Sequence, residues 1–113
     1  MAKAPTRTEQ YAAIGRRLAL LRLTRGYESQ KEFADAFDFN YTQWNNYERG
    51  SSRPNPDDAL RLKRRFGVTT DWIYDGDESH LSVEMLRRLE EASAKLAAQE
   101  TATARRKRGR PRK

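Results

Sequence analysis

The residues best equipped for chemistry lie between Asn40 and Gly50, in the run Tyr41-Thr42-Gln43-Trp44-Asn45-Asn46-Tyr47-Glu48-Arg49. Thr42, Gln43, Asn45 and Asn46 carry polar groups that do not titrate, and each amide can donate and accept at once. That is recognition chemistry. Bond-breaking chemistry is hard to find elsewhere, and no enzyme is expected. His80 is the only histidine, and it sits in a polar connector without a neighbouring nucleophile. The acids of Asp75-Gly76-Asp77-Glu78 lack the length and spacing of a calcium loop, and no phosphate-loop pattern occurs. The chain has no cysteine, so disulfides and thiolate metal sites are excluded. No cofactor or metal is expected.

A second cluster is a matter of charge. Residues 105–113 hold Arg105, Arg106, Lys107, Arg108, Arg110, Arg112 and Lys113 and no acid. The whole chain has 23 bases and 16 acids. Removing those seven bases leaves 16 against 16, so the body is neutral and the end carries the entire excess. Such asymmetry points to a polyanionic partner, usually nucleic acid. It also fits a tail that addresses proteins or aids solubility.

These residues need elements to hold them. A chain of 113 residues with a mean hydropathy of −1.05 can bury only a small core, and without staples it is most easily an idealised helical domain. Ile14, Leu18, Leu20 and Leu21 recur at helical spacing from about Gln10 to Arg25, and Gly26 stops that helix. Ser29-Gln30-Lys31-Glu32 has the form of a capping box. Phe33, Ala34 and Phe37 supply the face of the helix that follows. Asp38 tolerates a left-handed turn, Asn40 can cap a third helix, and Gly50 ends it. Asn55-Pro56 starts a fourth helix, with Leu60, Leu62 (or the stem of Lys63) and Phe66 inward and Gly67 as its stop. Thr69 caps a short fifth helix containing Trp72 and Ile73, ended by Gly76. Ser82 caps a sixth, and Val83, Leu86, Leu89, Ser93 and Leu96 form its interrupted stripe.

The expectation is an all-α protein, a compact five-helix domain with a C-terminal helix and a disordered basic tail. Its parts are a disordered arm (1–9), the five-helix domain (10–77), the C-terminal helix (82–99) and the tail (100–113).

Two capped helices joined by a tight turn, followed by Tyr47-Glu48-Arg49-Gly50, resemble the phage-repressor-like (Cro/C1-type, XRE) helix-turn-helix regulators. The resemblance covers about residues 11–77. It is carried by Ser29–Ala34, Asn40–Gly50, Asn55-Pro56 and Phe66–Ile73 together. The chain departs from the family pattern in three places. Asp38 stands where glycine is common, the loop Gly26–Ser29 is one residue longer, and Trp44 replaces a branched aliphatic, enlarging the core or tilting the helix.

The resemblance implies sequence-specific binding of double-stranded DNA through a major-groove recognition helix at about 41–49, and transcriptional regulation, as a repressor. It places base contacts on Tyr41, Thr42, Gln43 and Asn46. It places phosphate contacts on Gln30, Asn45, Arg49, Ser51, Ser52 and Arg53. Amides can pair bidentately with adenine, and the Thr methyl can pack on a thymine methyl. With no Arg or Lys between 40 and 48, the reader leans toward A·T steps. Asn45 is as readily a solvated residue as a DNA contact. Glu48 pairs, by resemblance, with an arginine on the first helix, best matched by Arg22.

Residues Arg108-Gly109-Arg110-Pro111 resemble an AT-hook, an extended segment lying in the narrow minor groove, where negative potential attracts arginine. A nonspecific polybasic tail is the plain alternative. The family implies a homodimer on DNA. The 83–96 stripe supplies its contact, or packs back onto the domain, or stays solvated. An architectural protein and an antitoxin with a toxin partner are the competing readings. No apolar stretch approaches a membrane span and no secretory signal is legible, so the expected location is cytoplasmic, at the nucleoid.

Overall fold

The structure is a computed structural model in which residues 4–109 are described, with side chains to Arg106. It contains α1 (Arg7–Thr24), α2 (Gln30–Phe37), α3 (Tyr41–Arg49), α4 (Pro56–Phe66), α5 (Thr70–Asp75) and α6 (Val83–Gly109), and no strand among the described residues.

Local chemistry sets the boundaries. The helices from α2 to α5 begin at Ser29, Asn40, Asn55 and Thr69, whose side chains each accept a backbone N–H of the first turn. The Ser29 box forms only in half: Ser29 Oγ accepts from the Glu32 N–H at 3.1 Å, and Glu32 makes no return bond. A complete box lies where none was expected, since Thr6 Oγ1 accepts from the Glu9 N–H and Glu9 Oε1 accepts from the Thr6 N–H. It starts α1 at Arg7 rather than near Gln10. At the other end α6 runs past the expected stop near Gln99 to Gly109. Hydrophobic patterning ends there, but Ala, Gln, Glu, Lys and Arg are good helix formers and need no apolar face to continue.

The core forms around α1. Ile14, Leu18 and Leu21 meet Phe33, Ala34, Trp44, Tyr47, Leu62, Val68 and Ile73, all buried. Phe33 stands among aromatic rings, with Trp44 at 4.8 Å and Phe37 at 4.9 Å between centroids. On α4 the inner face is Ala59, Leu62 and Phe66. Leu60, expected there, is exposed. It lies one position round the helix from Ala59, about 100° away on a 3.6-residue turn.

The face of α6 is also shifted from the expected stripe. Met85, Leu89 and Ala92 are buried, as is Leu81 just before the helix, while Val83 is 83% exposed. This face packs against α1. Arg16–Glu100 and Lys95–Glu28 ion pairs, at 2.7 and 3.1 Å, flank the contact. Of the alternatives for residues 83–96, packing back onto the domain is the one observed. No helix among the described residues is long and apolar enough to cross a membrane.

Candidate nucleic-acid interface

The polar run Tyr41–Arg49 is a helix with two dissimilar sides. Its inner side is Trp44, Tyr47 and Glu48. The first two are fully buried, and the Glu48 side chain is 5% exposed.

Three devices seat this inner side. The first is the turn before it. Asp38 adopts the left-handed conformation at φ 66°, where glycine would be unstrained. Arg61 supports the turn from α4: its Nη2 donates to the Phe37 and Asp38 carbonyls at 2.8 and 2.6 Å. Its guanidinium lies 4.3 Å from the Phe39 ring centroid. The second is close backbone approach. A Cβ on Gly15 of α1 would stand 2.7 Å from the Tyr47 carbonyl oxygen, and closer still to that of Glu48. Only glycine lets the two helices meet there.

The third device is a buried polar cluster. Arg22 Nε and Nη2 donate to the two Glu48 carboxylate oxygens at 2.8 and 3.0 Å. This is the fork geometry that favours arginine over lysine. Arg22 Nη1 also donates to the carbonyls of Tyr27 and Glu28. Trp44 Nε1 donates to Glu48 Oε2 at 2.6 Å and Gln30 Nε2 to Glu48 Oε1 at 3.0 Å. Glu48 thus joins α1, α2 and α3 at one carboxylate, with each oxygen accepting two bonds. The expected Arg22–Glu48 pair is present. The Trp44 and Gln30 bonds were not foreseen, although the four-residue spacing of Trp44 and Glu48 puts both on one helical face.

Also on the inner side, Tyr47 Oη donates to Asp58 at 2.7 Å, tying the helix to the start of α4. Burial, then this hydrogen bond, pushes the Tyr47 hydroxyl pKa upward.

The outer side of α3 carries the expected base-contact residues. Tyr41, Thr42 and Gln43 are exposed and Asn46 is half-buried. Arg49 Nη2 donates to Asn46 Oδ1 at 2.7 Å. Of the expected phosphate contacts, Arg49, Ser51 and Arg53 are exposed and Ser52 is half-buried. Gln30 and Asn45 differ, because they bond each other: Asn45 Nδ2 donates to Gln30 Oε1 at 2.8 Å. Lys31, on the first turn of α2, holds its ammonium 6.0 Å from the Tyr41 ring centroid. Arg105 and Arg106 are exposed on the last turns of α6. Of the AT-hook-like segment, Arg108 and Gly109 close that helix. Arg110 and Pro111 lie outside the described residues.

Comparison with known proteins agrees with this geometry. A family model described as a helix-turn-helix domain matches residues 15–79. Over 66 residues the chain is 35% identical to the HTH-type transcriptional regulator ImmR of Bacillus subtilis (strain 168). That match covers 58% of this chain and 51% of the relative, so it spans about half that protein's length. No solved structure matches.

Proposed function

The chain belongs to the helix-turn-helix family of the phage-repressor-like (XRE) type, and on that premise we propose that it is a sequence-specific double-stranded DNA-binding protein that regulates transcription, as a repressor. The observation that carries this reading is the two-sided character of α3. Its inner face is held by Gly15, Glu48 and Tyr47, while Thr42, Gln43 and Arg49 stand clear of the protein. A helix of this width fits the major groove, where each base pair presents a distinct donor and acceptor pattern.

Tyr41, Thr42, Gln43 and Asn46 read base edges in this proposal. Arg49, Ser51, Ser52 and Arg53 hold the phosphates after the helix. Gln30 spends one amide hydrogen on Glu48 and offers the other to a phosphate at the N-terminus of α2, where backbone N–H groups favour an anion. The basic residues 105–113 add affinity through counterion release, about 0.9 on the log–log salt slope for each phosphate neutralised. The protein acts as a homodimer on two half-sites about 34–36 Å apart. Because α1 covers the buried face of α6, the twofold contact uses another surface. Work at the nucleoid in the cytoplasm follows from this role.

In vitro site selection on the full chain tests the reading. A two-part palindromic site is expected, and Thr42→Ala with Asn46→Ala should erase its preferences while the fold melts normally. A flat profile for the unaltered protein would favour an architectural role instead.

A further inference from the structure

The Glu48 cluster sets more than the position of α3. Every group that reaches its carboxylate is a donor: the Arg22 guanidinium, the Trp44 indole N–H and the Gln30 amide. Arginine and tryptophan side chains only donate, and a carboxylate only accepts. Gln30 must therefore turn its nitrogen toward Glu48 and its oxygen away. That oxygen lies 2.8 Å from Asn45 Nδ2, and only a donor satisfies it. Asn45 must in turn put its nitrogen inward. Flipping either amide would bring two acceptors or two donors face to face.

The polarity of one buried carboxylate is thus relayed through two amides to the surface of the recognition helix. Asn45 Oδ1 makes no hydrogen bond among the described residues. No buried side-chain polar atom among them lacks a partner, so this oxygen is not fully buried. Asn45 lies three positions after Thr42, on the flank of α3 that faces Gln30.

We propose that Asn45 is a specificity-determining residue whose outward carbonyl oxygen accepts a hydrogen bond from an exocyclic base amine in the major groove, its orientation set by Glu48 through Gln30. The inference rests on the reading of α3 as the DNA-reading helix. It reassigns Asn45 from the phosphate contact expected from sequence. Asn45 keeps a second Nδ2 hydrogen, but its nitrogen is turned toward Gln30; the atom it turns outward is an acceptor, which a phosphate oxygen cannot engage. A free asparagine serves amine and carbonyl equally, since a half-turn of its amide exchanges donor for acceptor. A relayed one does not.

The major-groove amines are N6 of adenine and N4 of cytosine. Site selection with the full-length protein and with Asn45→Ala locates the base pair that Asn45 reads. Binding is then measured on sites where that pair carries purine for adenine, or 2-pyrimidinone for cytosine, which deletes only the amine. The unaltered protein should lose about fivefold in affinity, the worth of one hydrogen bond. Asn45→Ala should lose nothing further on the deleted site. Gln30→Leu frees the Asn45 amide, so its affinity should depend on the amine less than that of the unaltered protein. An Asn45→Ala variant that weakens all sequences equally, or none, overturns the inference and leaves the DNA-reading helix standing. So does a site at which deleting the amine changes nothing. An unaltered protein with no sequence preference overturns both.

Discussion

Helix α1 is held from two sides by unlike means. Toward α3 it presents Gly15, so that backbone meets backbone. It also presents Arg22, whose ion pair with Glu48 is sealed from water, with the two side chains 9% and 5% exposed. Toward α6 the contact is made by Met85, Leu89 and Ala92. Its ion pair Arg16–Glu100 is open, at 45% and 54% exposure. Apolar side chains adapt and exposed charges are screened. A carboxylate with four donors, next to a helix crossing that only glycine permits, does not adapt. Helix α3 is therefore seated in one orientation, whereas α6 is held by contacts that tolerate adjustment.

Substitutions on the two sides should separate accordingly. Arg22→Ala strands a buried carboxylate and is expected to cost about 3–5 kcal/mol, read as a fall in the denaturant midpoint. Should it cost no more than Arg16→Ala, the contrast between the two sides collapses. Gly15→Ala drives a methyl into the α3 carbonyls, and overpacking of this kind costs about 1–3 kcal/mol. Because the strain falls on α3, DNA affinity should drop further than global stability, which paired binding and melting curves would reveal.

Tyr47→Phe removes the bond to Asp58 and should cost about 1 kcal/mol. It also carries a pH signature. The folded hydroxyl pKa is raised, by burial first, so the folded state holds its proton more tightly than the unfolded chain does. That stabilisation is complete below the unfolded tyrosine pKa of about 10 and is lost as pH climbs from there toward the folded value. Melting temperatures taken above that pH should fall more steeply for the unaltered protein than for Tyr47→Phe. The smallest effect belongs to the outer pairs. Arg16→Ala and Lys95→Ala should each change stability by less than about 1 kcal/mol, and the difference should vanish in high salt. A larger, salt-resistant loss would mean that α6 is fixed as firmly as α3.

Much of the fold was legible because it is local. Ser29, Asn40, Asn55 and Thr69 cap helices from one to three residues away, and Gly50, Gly67 and Gly76 end them in left-handed conformations. The Arg22–Glu48 pair was reachable because the motif around Tyr47-Glu48-Arg49-Gly50 resembles a known pattern. Arg61 was not reachable: it serves carbonyls 23 and 24 residues away, and nothing local marks it apart from Arg64 or Arg65. Gly15 was hidden for a similar reason, since a glycine inside a helix declares a close approach only once its neighbour is known.

By itself the sequence determined that this protein is helical, where the helices from α2 to α5 begin, and that one of them shows a polar, amide-rich run. Caps, stops and periodicity act within a few residues and need no tertiary context. Tertiary structure decided which way the amides face and which stripe is covered. Asn45 and Gln30 are 15 residues apart, and each amide could have pointed either way until a carboxylate accepting from three helices removed the choice. The α6 stripe likewise acquired a partner only when α1 lay beside it, because an apolar face specifies burial without specifying against what.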